Sequence, residues 1–134
     1  MHDGDRAGLA LFRDASAWVG VKRSGDAYQV AMVNGLTLEN ANWTTTNTGT
    51  EVGSEALSGG KVWLRISVDL HPGANSQAHF FYSTDGAAFT PLGPAFTMTN
   101  AWQFFMGYRF ALFNYATQAL GGSVSVRSFD LEAP

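Results

Sequence analysis

The stretch VWLRISVDL, Val62–Leu70, decides the fold. Val62, Leu64, Ile66, Val68 and Leu70 alternate with Trp63, Arg65, Ser67 and Asp69, and His71 continues the second set. A period of two sends successive side chains to opposite faces of a strand. One face here is wholly apolar, so the stretch predicts a strand lying over a core. Just downstream, AHFFYSTDGAAFTPLG at 78–93 sets two short apolar runs, Ala78–Ser83 and Ala88–Leu92, on either side of Thr84-Asp85-Gly86-Ala87. Asp-Gly supplies the φ > 0 conformations that a tight hairpin needs.

The same alternation extends toward both ends of the chain. Leu9 and Leu11 alternate with Gly8, Ala10 and Phe12; Val19 and Val21 alternate with Trp18, Gly20 and Lys22; Tyr28, Val30 and Met32 follow a Ser24-Gly25-Asp26 turn. These three runs predict a meander. Downstream, Phe104–Phe113 predicts a long strand with Met106, Tyr108, Phe110 and Leu112 turned to the core, and Gly122–Leu131 a closing strand with Val124 and Val126 in alternation. Asn114–Leu120 offers at most a turn of helix before Gly121-Gly122, and the Gly/Ser/Thr-rich stretch after Trp43 reads as a loop. Eight or so strands at this spacing predict an all-β domain spanning 1–134, built as a β-sandwich of two packed antiparallel sheets.

Composition agrees and excludes several partners. The chain has 134 residues, 46% of them hydrophobic, which is enough for one domain with a real core. Net charge is −3 and the eight Lys and Arg are scattered along the chain, so no basic stripe exists for nucleic acid. There is no cysteine, which removes disulfides and thiolate chemistry. No apolar run approaches the roughly 20 residues of a membrane helix, and MHDGDRAG lacks the basic region and apolar stretch of a signal peptide. Localisation stays open. His2, His71 and His79 share no ligand-type spacing, so no metal site or cofactor is specified; a structural calcium is conceivable in such a fold but nothing in the sequence specifies it.

Three segments, in order, carry a resemblance that covers nearly the whole chain: GDRAGLALFRDASAWVGVKRSG at 4–25, VWLRISVD at 62–69 with AHFFYSTDGAAFTPLG at 78–93, and GYRFALFNYATQALGGSVSVRS at 107–128. Together they resemble the C-terminal β-sandwich module of family 43 glycoside hydrolases, enzymes that remove xylose and arabinose from plant xylans. The resemblance implies a concanavalin A-like jelly roll and a non-catalytic accessory role, since the family's catalytic acids belong to a propeller that this chain does not contain. The family module usually begins with strands that precede the GDRAGL segment. The resemblance therefore implies a truncated module with an open sheet edge, covered by a second copy of the chain in a homodimer, with strands exchanged, or by a catalytic domain.

The residues opposite the core-facing rows are the candidate site. Trp18, Lys22, Trp63, Arg65 and Arg109 combine indole faces, on which the C–H faces of sugars pack, with cationic donors to hydroxyls. They are expected to share one face and to bind a polysaccharide or oligosaccharide, with xylan or a related plant β-polysaccharide as the ligand. Each tryptophan has a second reading, as filler between the sheets. Arg109, or Tyr108 beside it, is placed by the resemblance near a propeller's substrate pocket, and the alternative for Arg109 is an ion pair with Asp5 or Asp69. Asn114 and Tyr115 lie at an expected corner, where they either hydrogen-bond a sugar or cap the loop. Two rival functions stand beside binding: docking on a catalytic propeller without sugar affinity, and a small stand-alone glycoside hydrolase. The latter needs two carboxylates across a groove, for which Glu51 and Glu55 are the candidates.

Overall fold

The structure, a computed structural model, describes residues 1–39, 41–69, 71, 76–100 and 106–133. Among them the chain forms nine strands: β1 (Asp5–Phe12), β2 (Ala15–Ser24), β3 (Ala27–Leu38), β4 (Thr45–Leu57), β5 (Trp63–Val68), β6 (Gln77–Ser83), β7 (Thr90–Pro91), β8 (Phe96–Thr97) and β9 (Arg109–Ala116). The expected meander is present and continues through a fourth strand. β1 to β4 pair in sequence, all antiparallel, and β9 returns beside β1 to give the order β4-β3-β2-β1-β9. The second sheet has the order β5-β6-β7, with β8 also pairing β6.

The period-two pattern explains how the two layers meet. Leu11, Val19, Val30 and Met32 of the first sheet are buried with Ala78, Phe80, Leu92 and Phe96, while Leu64, Ile66 and Val68 of β5 pack on the same cluster. Each large apolar side chain so removed from water contributes about 1.5–3 kcal/mol. β5 lies over β1 and β2, and β6 over β2. This is the antiparallel two-sheet β-sandwich expected from the alternation.

Several local expectations are corrected. The polar stretch after Trp43 is not a loop but the long edge strand β4, whose residues are mostly exposed. Its Thr45, Thr46, Thr48 and Thr50 are β-branched and suit a pleated edge that is wet on both sides. The 78–93 hairpin forms, but with a wider connection: Phe81 pairs Pro91 and Tyr82 pairs Thr90. Of Asp85 and Gly86 only Gly86 takes a positive φ, at 80°. The Asp85 carboxylate instead shapes the loop, accepting from the Ala87 and Ala88 amides at 2.8 and 2.9 Å. Those bonds hold its pKa below the ordinary carboxylate value.

The C-terminal third differs most. Asn114, Tyr115 and Ala116 stand in β9, paired with Ala7, Arg6 and Asp5, so neither Asn114 nor Tyr115 is at a corner. The gain of a full ladder against β1 outweighs the weak turn signal. Tyr108 and Phe110 pack on the core as expected, whereas Leu112 is 53% exposed because the second sheet does not reach over it. Gly122–Leu131 belongs to no strand ladder among the described residues. The start of the expected strand at Phe104, and Leu70, lie outside the described residues.

Candidate functional site

The register fixes what the outer face of the five-stranded sheet displays. One cross-strand row runs Ala56, Gln29, Lys22, Arg6, Tyr115, and the next runs Ser54, Ala31, Gly20, Gly8, Phe113. A third runs Glu51, Val33, Trp18, Ala10, Ala111, and beyond it Thr48, Leu36 and Ser16 lie toward Phe12 and Arg109. Small residues thus occupy the middle of the sheet, with aromatic and charged ones around them. Trp18, Ala31 and Val33 form a second apolar cluster here, with Ala10, Leu36 and Phe113 packed against it.

The result is an open trough of about 500 Å³ lined by Phe12, Trp18, Leu36, Ala111, Phe113 and Tyr115 among others, with Thr45 and Thr48 also in its lining; the Ser16 hydroxyl is engaged by the Arg13 backbone and that of Thr37 by Thr46. Trp18 is 6% exposed, its indole set edge-on to Phe113 at 5.2 Å between centroids and 64° between planes. Phe113 in turn leans on Tyr115 at 5.8 Å. The rings offered to solvent are those of Phe12 and Tyr115, at 39% and 47% exposure. Burial raises the Tyr115 phenol above its ordinary pKa against the lowering pull of the Arg6 charge, so its hydroxyl stays a neutral donor at physiological pH. At the trough's far end the β3–β4 connection joins Leu38 to Thr45, both of which line it, and carries Trp43 at φ 62° with 46% exposure.

Lys22 spans the small-residue row to meet Glu51, its ammonium 2.7 and 2.6 Å from the two carboxylate oxygens. Burial would raise the Glu51 pKa, but the hydrogen bonds from Lys22 and Ser54 and the charges of Lys22 and Arg6 outweigh it and lower the value overall. A depressed carboxylate pKa contributes stability above the ordinary value of 4.5, and this is lost as pH falls through the depressed one. Glu51→Gln is therefore expected to cost under about 1 kcal/mol at neutral pH. Urea midpoints should show the gap to wild type closing below pH 4.5; a gap that persists unchanged in strong acid would contradict the ion pair.

The expected site residues do not share one face. Trp18, Lys22 and Arg109 lie on the outer face of the first sheet, while Trp63 and Arg65 lie on the outer face of the second, on the opposite side of the sandwich. Alternation specifies inward or outward, and both sets are outward, but on different sheets. Trp63 packs on the hairpin loop, where a Cβ on Gly86 would meet the indole at 2.7 Å, and the Lys61 ammonium sits 4.0 Å from its centroid. Arg65 stacks 3.6 Å over Phe89. Tyr108 faces inward, its hydroxyl accepting the Thr99 amide at 3.0 Å, so it lines no outer site. Asn114, between Phe113 and Tyr115, faces inward as well. Arg109 is exposed beside Phe12, and among the described residues it forms no ion pair with Asp5 or Asp69. The carboxylates proposed for catalysis diverge: the irregularity between Met32 and Val33 puts Glu51 opposite outward-facing Val33 and Glu55 opposite core-facing Val30.

Residues 1–132 match the family of β-xylosidase C-terminal concanavalin A-like domains, GH43_C2. The chain belongs to that family. Among solved structures, it is 41% identical, with a TM-score of 0.86, to a GH43 glycoside hydrolase whose engineered active site displays both endo-xylanase and exo-arabinofuranosidase activity. A bifunctional GH43-CE protein of Bacteroides eggerthii is similar at 37% identity and a TM-score of 0.76. Each alignment takes in 91% of this chain, which spans 25% of the first protein and 14% of the second. Among curated proteins, none is significantly similar. The chain is thus an accessory domain of the GH43 type with a concanavalin A-like sandwich.

Sequence reasoning placed Phe12 on the outer face but missed Phe113 and Tyr115 as trough walls. The usable signal was their spacing: two aromatics at i and i+2 on one strand stand on the same face. The expected strand ends at Phe113 with Tyr115 at its corner, where that rule does not apply.

Proposed function

We propose that the outer face of the five-stranded sheet binds a polysaccharide chain, xylan or a related plant β-polysaccharide, and that this GH43 accessory domain does so without catalysis. The observation that carries the reading is the open aromatic trough, in which Phe12, Phe113 and Tyr115 wall an apolar floor that Thr45 and Thr48 also line. Pyranose rings present apolar C–H faces to such walls. The xylanase and arabinofuranosidase activities of the similar GH43 enzyme favour a xylan ligand. The divergent Glu51 and Glu55, the first neutralised by Lys22, supply no pair of carboxylates for hydrolysis.

A second reading, docking on a catalytic domain, is favoured by one feature: the trough's lining is almost wholly carbon. Calorimetry with xylan, arabinoxylan and β-glucan separates the two. Saturable binding is expected on a xylan, with Tyr115→Ala and Phe113→Ala each weakening it about tenfold, or roughly 1.4 kcal/mol. Trp63→Ala, on the other sheet, should leave affinity unchanged. If wild-type protein binds none of the three polysaccharides, the sugar reading falls, and pull-down by a GH43 catalytic domain becomes the outcome to measure.

A further inference from the structure

The outer face of the five-stranded sheet is charged against the rest of the chain. Its cross-strand rows carry three cations, Arg6, Lys22 and Arg109, and one carboxylate, Glu51, in a chain whose net charge is −3. Glu51 is already taken, held by Lys22 at 2.6 Å. What remains is a guanidinium at each end of the aromatic wall, since Arg6 stands directly across from Tyr115 and Arg109 directly across from Phe12. Between Arg6 and Phe12 β1 advances about 20 Å at the rise of a strand, room for several pyranose rings.

Neither guanidinium has an acidic partner among the described residues. Arg6 is half-buried and held by backbone, its Nη1 donating to the Asp5 carbonyl at 2.9 Å and to the Arg23 carbonyl at 3.1 Å. Carbonyls orient a guanidinium without neutralising it. Its charge reaches the trough, where it pulls the pKa of Tyr115 and of Glu51 down against the effect of burial. The carboxylates of the adjoining turns are engaged elsewhere: Asp26 pairs with Arg23 at 3.3 Å, Asp14 with Arg13 at 3.4 Å, and Asp3 accepts the Gly25 amide at 2.7 Å.

We infer that the trough takes an acidic polysaccharide, and that carboxylates on its sugar side groups pair with Arg6 and Arg109 while its backbone lies along Phe12, Phe113 and Tyr115. The inference rests on the reading of the trough as a polysaccharide site and names the class of chain it selects. A carboxylate is the acidic group that fits, because its two oxygens match the planar fork of a guanidinium. A neutral chain can use the aromatic wall but leaves both arginines without a counter-charge. The aromatic rings thus supply affinity for the backbone, and the two arginines supply preference among its substituted forms.

Calorimetry of the full chain with two xylo-oligosaccharide preparations tests this, one carrying glucuronate side groups and the other the same material with those carboxyls reduced to alcohols. The acidic form is expected to bind about fivefold more tightly at low ionic strength, and the advantage to shrink as salt rises. Arg6→Gln and Arg109→Gln should each lower the ratio of the two affinities, and the double variant should bring it to about one. Arg109 is exposed, so its variant keeps the test open even if Arg6→Gln fails to fold. Lys61→Gln makes the same change of charge beside Trp63 on the other sheet and should leave the ratio as in wild type. Equal affinity of the wild type for both preparations overturns the carboxylate inference alone, whereas binding of neither overturns the polysaccharide reading with it. An advantage that survives the double substitution, or that Lys61→Gln lowers as much as Arg6→Gln and Arg109→Gln do, overturns the assignment to these arginines.

Discussion

Gly20→Val is expected to destabilise the five-stranded sheet severely, and Gly8→Val to do the same. These residues face each other across β1 and β2. A Cβ on Gly20 would stand 2.5 Å from the Ala7 carbonyl oxygen, and one on Gly8 would run into the Val19 carbonyl oxygen and stand 2.5 Å from the Gly20 Cα. The obstacles are backbone atoms, which cannot rotate aside like the end of a flexible side chain. Relief requires β1 and β2 to separate at mid-ladder, in the sheet that carries Leu11 and Val19 into the core. The expected cost exceeds about 4 kcal/mol, against a total stability on the order of 5–15 kcal/mol for a domain. Far-ultraviolet circular dichroism and urea unfolding measure it. Gly59→Ala, where a Cβ meets nothing within 4 Å, is the control and should move stability by under about 0.5 kcal/mol. A Gly20→Val protein with the wild-type midpoint would refute the close approach. The same pair lies in the outward row that holds Phe113 and that the Lys22–Glu51 bridge crosses.

How much of this was legible in the sequence depends on what alternation encodes. Leu64, Ile66 and Val68 announce an inward face, and so do Val19, Val30 and Met32; the structure puts all of them at the core. Alternation is silent about which sheet a strand joins. Trp18 and Trp63 both read as outward and both are, yet they stand on opposite sides of the molecule, because β2 and β5 belong to different layers. Polar strands are similarly hidden: β4 has no apolar row to signal it, and its strand character comes from pairing with β3 along most of its length. Gly122–Leu131 shows the converse. Its pattern is that of a strand, but a strand exists only where an edge receives it, and among the described residues none does. Phe113 and Tyr115 were legible as aromatics and not as walls, since their role follows from how far β9 runs beside β1.

Arg13→Met is the other substitution expected to cost most, at about 3 kcal/mol. No periodicity marks Arg13; it occupies the short β1–β2 turn and is 5% exposed. Its Nε donates to the Met106 carbonyl at 2.9 Å, and its Nη1 donates to the Thr99 carbonyl at 2.9 Å and the Thr99 hydroxyl at 3.2 Å. Asp14 balances the charge at 3.4 Å, and the guanidinium lies 5.7 Å from the Tyr108 ring centroid. The side chain therefore ties the turn to the segment after β8 and to the approach to β9, regions far away in sequence. Methionine fills similar volume but leaves the Met106 and Thr99 carbonyls without their donor and Asp14 without its countercharge, and desolvated acceptors of that kind are costly. Lysine keeps the charge but not the planar fork, so Arg13→Lys should fall between wild type and Arg13→Met. Urea midpoints of the three proteins give the order. If Arg13→Met were as stable as wild type, water would have to satisfy those carbonyls, and the buried arginine would not be what holds the start of β9 in place. Because β9 carries Phe113 and Tyr115 into the trough, the proposed xylan binding predicts a weaker affinity for the folded fraction of Arg13→Met than for wild type, by a smaller factor than for Tyr115→Ala.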